Sequence, residues 1–409
     1  MGKKAKRALT CADLFAGAGG LSLGFHQAGY RTVFFNESDE DAAATFQANM
    51  PTAAPFIRPI QELTTEMILA ACGRNAEDLD VMMGGPPCQG FSINAPARSE
   101  ADPRNHLFRH YVRLVLEGLR PKFVVMENVP GLISLDQGRT LRDVTTAFEQ
   151  CGYRIAFRIL NAAHYGVPQE RWRLVILGTR LAGVTPSLPQ PTHYSTKPPN
   201  FTGGRGHTFR HAIARPSEGL FPAQLLPPVT VAEAIGDLPA IPSGGGAAEM
   251  EYGSGPATPY QAAARDSARL FNHQCARLAR VNLERIRHVK PGGSWRDIPH
   301  EMLPKGMQRA RRSDHTRRYG RLSPEDVSGT ILTKCDPHWG TFLHYGQDRV
   351  ISVREAARIQ SFPDSFRLAG SRTTMYRQVG NAVPPLLARA IALHIQTLMA
   401  QPRSAGSAA

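Results

Sequence analysis

The stretch GGPPCQGFS, Gly84 to Ser92, sets a single cysteine behind two prolines and ahead of a small polar segment. A free thiol has a pKa of about 8.5 and is only a few per cent thiolate at neutral pH, so a catalytic cysteine needs cations nearby. Alone, Cys88 fits an inert thiol as well as a nucleophile. Glu127 ends the apolar run KFVVMEN, where it suits either acid–base work or an ordinary strand terminus. Arg171 and Arg173, in QERWR, stand two apart at the start of another apolar run, and on a strand both would leave one face. They fit a surface ion-pair set equally well. Gly380 and Asn381, in QVGNAVPP, form a turn before a helix, consistent with capping or with a ligand contact.

A second cluster is glycine-rich. DLFAGAGGLSLGF places Gly17, Gly19 and Gly20 between an apolar strand and a helix, where glycine allows a tight turn and close approach of a ligand. A dinucleotide fingerprint would need a third glycine where Ser22 stands, so a pyrophosphate is disfavoured. Glu37, twenty residues after Gly17, ends the next apolar run and is placed to accept hydrogen bonds from a ribose. The pattern fits a nucleoside cofactor or a plain tight turn.

These residues must be carried by regular elements. LTCADLF, RTVFFNE, LDVMMGG, KFVVMEN, YRIAFRIL and RWRLVILG read as strands, and LSLGFHQAG, DEDAAATFQANM, HLFRHYVRLVLEGL and RTLRDVTTAFEQCG as helices. In the third helix Leu107, Tyr111, Leu114, Val115 and Gly118 share one face. Alternation of strand and helix predicts an α/β fold with a doubly wound, mixed but mostly parallel sheet. The rhythm ends near residue 181. Pro- and Gly-rich chain runs to about 260, residues 261–290 look helical, and 291–345 look like loops and short strands. The expected division is therefore 1–180, an inserted segment 181–345, a segment 346–400 that completes the first domain, and a disordered tail 401–409.

At 409 residues the chain is long enough for a large domain and a smaller one. The absence of a long apolar run and of a signal core predicts an intracellular, soluble protein. Six dispersed cysteines without a C-x-x-C pair argue against a zinc cluster and against a disulfide framework. The net charge is +14, and Arg265 to Arg321 holds fifteen Lys/Arg against five acids. A polyanion such as nucleic acid is the natural partner.

In order, Phe15-x-Gly17-x-Gly19, Pro87-Cys88-Gln89, Glu127-Asn128-Val129, Gln169-x-Arg171-x-Arg173, the run Arg354 to Asp364 (REAARIQSFPD) and Gly380 to Pro384 (GNAVP) resemble the motifs of the DNA (cytosine-5) methyltransferases. The resemblance covers residues 9–180 and 319–395, and the stretch between corresponds to that family's variable target-recognition region. It implies a Rossmann-like methyltransferase using S-adenosylmethionine. Cys88 would add to carbon 6 of cytosine, making carbon 5 nucleophilic toward the methyl group. Glu127 would hold ring nitrogen 3 and the exocyclic amine, Arg173 the ring carbonyl, and Arg171 would favour the thiolate.

The same resemblance implies Phe15 and Ile60 against the adenine, and Gly17 and Gly19 against the methionine part. Glu37 would take the ribose, with Pro86, Asn381 and Val383 also at the cofactor. The family often carries an acid before the isoleucine, where this chain has Pro59. The target base must leave the duplex, at a cost of roughly a few kcal/mol. Ser92, Asn94, Arg311, Arg312, Arg317, Arg318, Arg321 and Thr330 are the expected DNA contacts, Thr330 at the phosphate of the flipped nucleotide. A bacterial or phage modification enzyme is implied. It would be a cytoplasmic monomer acting on double-stranded DNA, with no membrane partner and with a restriction endonuclease sharing its site without direct contact. The alternatives are a transfer RNA cytosine-5 methyltransferase, which predicts a shorter variable region, and an inactive DNA-binding homologue, which predicts a broken motif. A nicotinamide oxidoreductase fails at Ser22.

Overall fold

The computed structural model describes residues 7–73, 78–86, 107–195, 224–314 and 317–401. By packing, the chain forms two compact units. One comprises residues 1–165, 172–226 and 385–409, and the other 166–171 and 227–384. These boundaries differ from the functional segments expected above.

The first unit is built on a seven-stranded sheet. Its strands are β1 (Thr10–Leu14), β2 (Arg31–Glu37), β3 (Ala54–Ile57), β4 (Val81–Gly84), β5 (Phe123–Asn128), β6 (Arg154–Asn161) and β7 (Trp172–Thr179). They lie in the order β3-β2-β1-β4-β5-β7-β6. The first five are parallel, while β7 runs antiparallel to both β5 and β6. Every residue of β1 and β4 is buried, as expected of central strands covered on both faces. All six strands expected from the sequence form, and β3 is additional. It is only four residues long and contains Pro55, so it gives little apolar signal and sits at the sheet edge, where proline is tolerated.

At the amino ends of the parallel strands, the buried Asp80 carboxylate accepts from the Thr10 amide at 2.8 Å and from Lys122 Nζ at 2.7 Å, pinning β1 to the starts of β4 and β5. The opposite, carboxyl ends are left to loops.

Helices α1 (Gly20–Gln27), α2 (Glu40–Asn49), α3 (Thr65–Cys72), α4 (Leu107–Tyr111) and α5 (Arg139–Gln150) accompany the strands. Asp39 and Thr64 cap α2 and α3 through their side chains. The third expected helix departs from the simple stripe. After α4 it continues as a π-helix over Val112–Leu119, and the wider turn carries Leu116 and Leu119 into the core. Gly118 stays exposed, and a Cβ there would meet Thr65 Oγ1 at 2.3 Å.

The last helix, Pro385–Ala400, returns to this unit and covers α1. Gly24 permits the contact, because a Cβ there would stand 2.4 Å from both Ala388 Cβ and the Pro385 carbonyl. Tyr30 and Gln396 add hydrogen bonds to the Ala392 and Ala28 carbonyls.

The second unit is irregular but firmly held. A strand, Leu270–Gln274, lies where the sequence suggested helix, and it pairs antiparallel with Gly246–Met250. The alternating Leu270 and Asn272 do not separate strand from helix over so short a run. The REAARIQSFPD run owes its two arginines, Arg354 and Arg358, to this unit's interior. Arg354 donates to the Phe271 and Pro363 carbonyls, each at 2.7 Å. Arg358 pairs with Asp364 at 2.6 Å and Asp237 at 3.2 Å, and Arg349 just upstream forks onto Glu355 with two 2.7 Å bonds. Burial works against the Glu355 carboxylate, yet its Arg349 bonds and nearby histidines hold its pKa down at about 2.

Candidate active site

In an open α/β sheet, ligands bind beyond the carboxyl ends of the strands where the strand order reverses. Here that point is β1, with β2 on one side and β4 on the other. The loop leaving β1 is tightly wound. Phe15 takes a left-handed backbone at φ +57°, and Gly17 and Gly19 follow at +55° and +91°. Such a conformation at a non-glycine residue persists only where its surroundings impose it. At Gly19 a Cβ would also stand 2.8 Å from the Phe46 ring.

Glu37, at the end of β2, is the organising side chain of this corner. One carboxylate oxygen accepts from the Gly17 amide at 2.8 Å, and the other from the Ser38 and Asp39 amides at 2.7 and 2.8 Å. Three backbone donors thus fix its orientation, and a carboxylate has about four acceptor sites, so one site on Oε2 remains for a single hydroxyl. Beneath the loop, Asp13 is buried and accepts from Ser22 Oγ at 2.7 Å. Burial raises its pKa to about 7, the Ser22 bond opposes this, and the Glu37 charge adds to it. Ile60 lies buried just beyond β3, in the same apolar cluster as Phe56 and Leu63.

A second corner forms at the ends of β4 and β5. Glu127 Oε1 pairs with Arg173 Nε at 2.7 Å, both side chains 14% exposed. Burial pulls the Arg173 guanidinium below its ordinary value, and Glu127 pushes it back up. The pairing follows from topology. Because β7 is antiparallel to β5, its first residues lie beside the last residues of β5, with Asn128 opposite Leu174. Glu127 Oε2 would stand 3.1 Å from a Cβ at Gly85, so only glycine gives it that approach without displacement. Next to it, Asn128 Nδ2 donates to the Pro86 carbonyl at 3.0 Å, and its Oδ1 accepts from the Val129 amide. The chain leading to Cys88 is therefore held at Pro86. Cys88, Ser92 and Asn94 themselves lie outside the described residues.

Arg171 departs from the expected pairing of faces. The strand begins at Trp172, so strand alternation does not reach Arg171. Within the second unit its guanidinium donates to the Ile331 carbonyl at 3.2 Å and the Gly380 carbonyl at 2.8 Å. The neighbouring Gln169 accepts from the Ile331 amide, and the Glu170 carbonyl accepts from Thr330 Oγ1 at 2.8 Å. The Thr330 hydroxyl proton is thus turned inward. The turn expected at Gly380 and Asn381 is instead the end of a helix, Arg372–Asn381, with Asn381 exposed and Val383 half-buried in the short link to Pro385.

The expected DNA contacts divide by environment. Arg311, Arg312 and Arg317 are exposed and Arg318 half-buried. The expectation for Arg321 is corrected. It is 5% exposed, and its guanidinium donates to the Val289, His344, Gln347 and Ile286 carbonyls and to Asp348, so it anchors the fold and has no face for a phosphate. A charge count along a sequence cannot separate such an arginine from a surface one.

This geometry stands beside an independent match: residues 9–397 fit the family of C-5 cytosine-specific DNA methylases. The chain belongs to that family. Among its relatives, the Type II methyltransferase M1.HphI of Haemophilus parahaemolyticus is 34% identical across 94% of this chain and 86% of its own length. The Type II methyltransferase M.AgeI of Thalassovita gelatinovora is 33% identical across 93% and 97%. The fold is shared with a prophage-encoded DNA modification methyltransferase of Escherichia coli, with a TM-score of 0.70 over 96% of this chain and 100% of that one at 24% identity. As a C-5 cytosine-specific DNA methylase, the chain works on a base whose reacting carbon has little nucleophilicity. The Glu127–Arg173 corner sets a carboxylate against a guanidinium, and the Gly17–Glu37 corner sets a carboxylate against backbone amides.

Proposed function

We propose that this protein methylates carbon 5 of cytosine within a specific sequence of duplex DNA, as a cytoplasmic monomeric modification enzyme, through a transient bond from Cys88 to a cytosine swung out of the helix. The observation that carries the reading is the pairing of Glu127 with Arg173 beside Pro86, two residues before the cysteine. The Cys88 thiolate adds to carbon 6 and the electrons of the 5,6 double bond move toward carbon 5. Glu127, carrying a proton at least transiently, donates it to ring nitrogen 3 while its other oxygen accepts from the amine, and Arg173 donates to the ring carbonyl, so the charge pushed into the ring by the thiolate is stabilised. After carbon 5 takes the methyl group, a base removes its proton, the carbon–sulfur bond breaks and the double bond re-forms.

S-adenosylmethionine supplies the methyl electrophile when bound. The residues present fit it: Glu37 has acceptor capacity for the ribose, and Gly17 and Gly19 leave room along the backbone. Phe15, Ile60 and Pro86 complete that set in the first unit, and Asn381 and Val383 are assigned to the cofactor by resemblance to the family's motif alone. Arg171 favours the Cys88 thiolate and also holds the Ile331 and Gly380 carbonyls. Arg311, Arg312, Arg317 and Arg318 approach phosphates. The test is trapping. A duplex bearing 5-fluorocytosine at the target should form a covalent adduct with the wild type plus donor and none with Cys88→Ala. No adduct with the wild type would overturn the reading. Bisulfite sequencing of DNA from expressing cells gives the recognition sequence, and a cognate endonuclease would be blocked at those sites.

A further inference from the structure

Trp339 is 63% exposed, whereas Trp172 and Trp295, the other two tryptophans, are 6% and 4% exposed. Its surroundings are not those of a loose loop. The Trp339 amide donates to the Asp336 carbonyl at 3.0 Å, closing a tight turn. Asp336 Oδ1 accepts from both the amide and Nδ1 of His338, at 2.8 and 2.7 Å. His338 Nε2 lies 2.7 Å from the Tyr319 hydroxyl, which also donates to Asn282. On the other flank the Gly340 carbonyl accepts from the Gly320 amide, and a Cβ at Gly340 would strike the Phe342 ring at 2.6 Å. Tyr319 itself sits at φ +49° and donates its amide to the Pro337 carbonyl. An indole kept in water is costly, and here both chain neighbours are locked so that it stays there.

The same pedestal carries cations. Tyr319 and Gly320 directly follow Arg317 and Arg318, the exposed Lys334 precedes the turn, and the Arg317 guanidinium reaches to 3.9 Å from the Cβ position of Gly329, next to Thr330. A water-exposed aromatic on a hydrogen-bonded turn, with exposed Lys334 five residues before it and Arg317 three residues before the Gly320 that bonds to Gly340, matches a partner that presents anionic phosphates beside flat apolar faces.

We propose that Trp339 is a contact residue for the duplex, laying its indole against a base or deoxyribose while Arg317 and Lys334 meet the flanking phosphates. This rests on DNA being the substrate. An aromatic contact of this kind is non-ionic, so its loss lowers affinity without altering the salt dependence, unlike loss of a phosphate contact.

Because Trp339 is the exposed indole of the three, acrylamide quenching of intrinsic fluorescence reports on it without any substitution. Saturation with a duplex containing the target site, verified by anisotropy of a labelled strand, should remove most of the quenchable fraction. Trp339→Ala should weaken duplex binding about tenfold with an unchanged slope of log affinity against log salt, and Trp339→Phe should restore most of it. Undiminished quenching at saturation, or full affinity in the alanine variant, overturns the proposal. Failure of the wild type to bind duplex at all would instead count against the DNA reading itself.

Discussion

The side-chain amide of Asn128 holds the Pro86 carbonyl at 3.0 Å, joining the end of β5 to the chain that delivers Cys88. Asn128 is buried and touches neither base nor cofactor in the proposed chemistry, so its effect is on position. Asn128→Ala should lower kcat by roughly 10- to 100-fold, the scale of a misplacement near 1 Å, while cofactor affinity stays close to wild type. Single-turnover methyl transfer together with calorimetric binding of S-adenosylhomocysteine separates the two.

Glu37 accepts three backbone amides and retains capacity for the ribose. Glu37→Gln keeps the shape but turns an amide donor toward one of those N–H groups. Loss of a charge-assisted hydrogen bond predicts affinity for S-adenosylhomocysteine lower by roughly 10- to 100-fold. Calorimetry checks this, and an unchanged Kd would remove Glu37 from the cofactor site.

Arg317 and Arg321 stand close in sequence, yet one is exposed and the other is bonded to four carbonyls and Asp348. Arg317→Ala should weaken duplex binding and reduce the salt slope by about one, with thermal stability unchanged. Arg321→Ala should instead destabilise the protein by about 3 kcal/mol or more, since buried acceptors lose their donor. Denaturant unfolding and salt-dependent anisotropy on both variants decide the assignment.

Asp13 gives a pH dependence with a definite sign. Its folded pKa of about 7 lies above that of an unfolded aspartate, so its burial is free of penalty while protonated. Its contribution to stability is fully present below about pH 4 and is lost as pH rises to about 7. Asp13→Asn keeps an oxygen for Ser22 and removes the charge. It should gain roughly a few kcal/mol over the wild type at pH 8 and little at pH 4.5, measured by denaturant unfolding. An equal difference at both values would refute the assignment.

Much of the sheet was legible because each strand is a short apolar run closed by a polar or glycine residue. The exceptions have physical causes. Strand β3 is short and holds a proline, and Leu270–Gln274 is too brief for its period to be read. In the site, Glu127 and Arg173 were legible from their motifs with a role each, whereas Asn128 stood in the same motif without one, because its work is a hydrogen bond to a carbonyl that any residue could present. Arg171 was placed by strand alternation, which fails one residue before the strand begins. Arg321 and the arginines of REAARIQSFPD were counted as motif or charge although they hold buried carbonyls and carboxylates.

The helix that covers α1 is made long after the sheet of the same unit. Strand β7 is complete at Thr179, whereas the covering helix starts at Pro385, about 200 residues later. At translation speeds of roughly 5–20 residues per second, a nascent chain waits roughly 10 to 40 s with α1 bare. Helper proteins that shield greasy surfaces at the ribosome should therefore matter for the yield of this enzyme, and a chain cut short before Pro385 should be unable to bury α1.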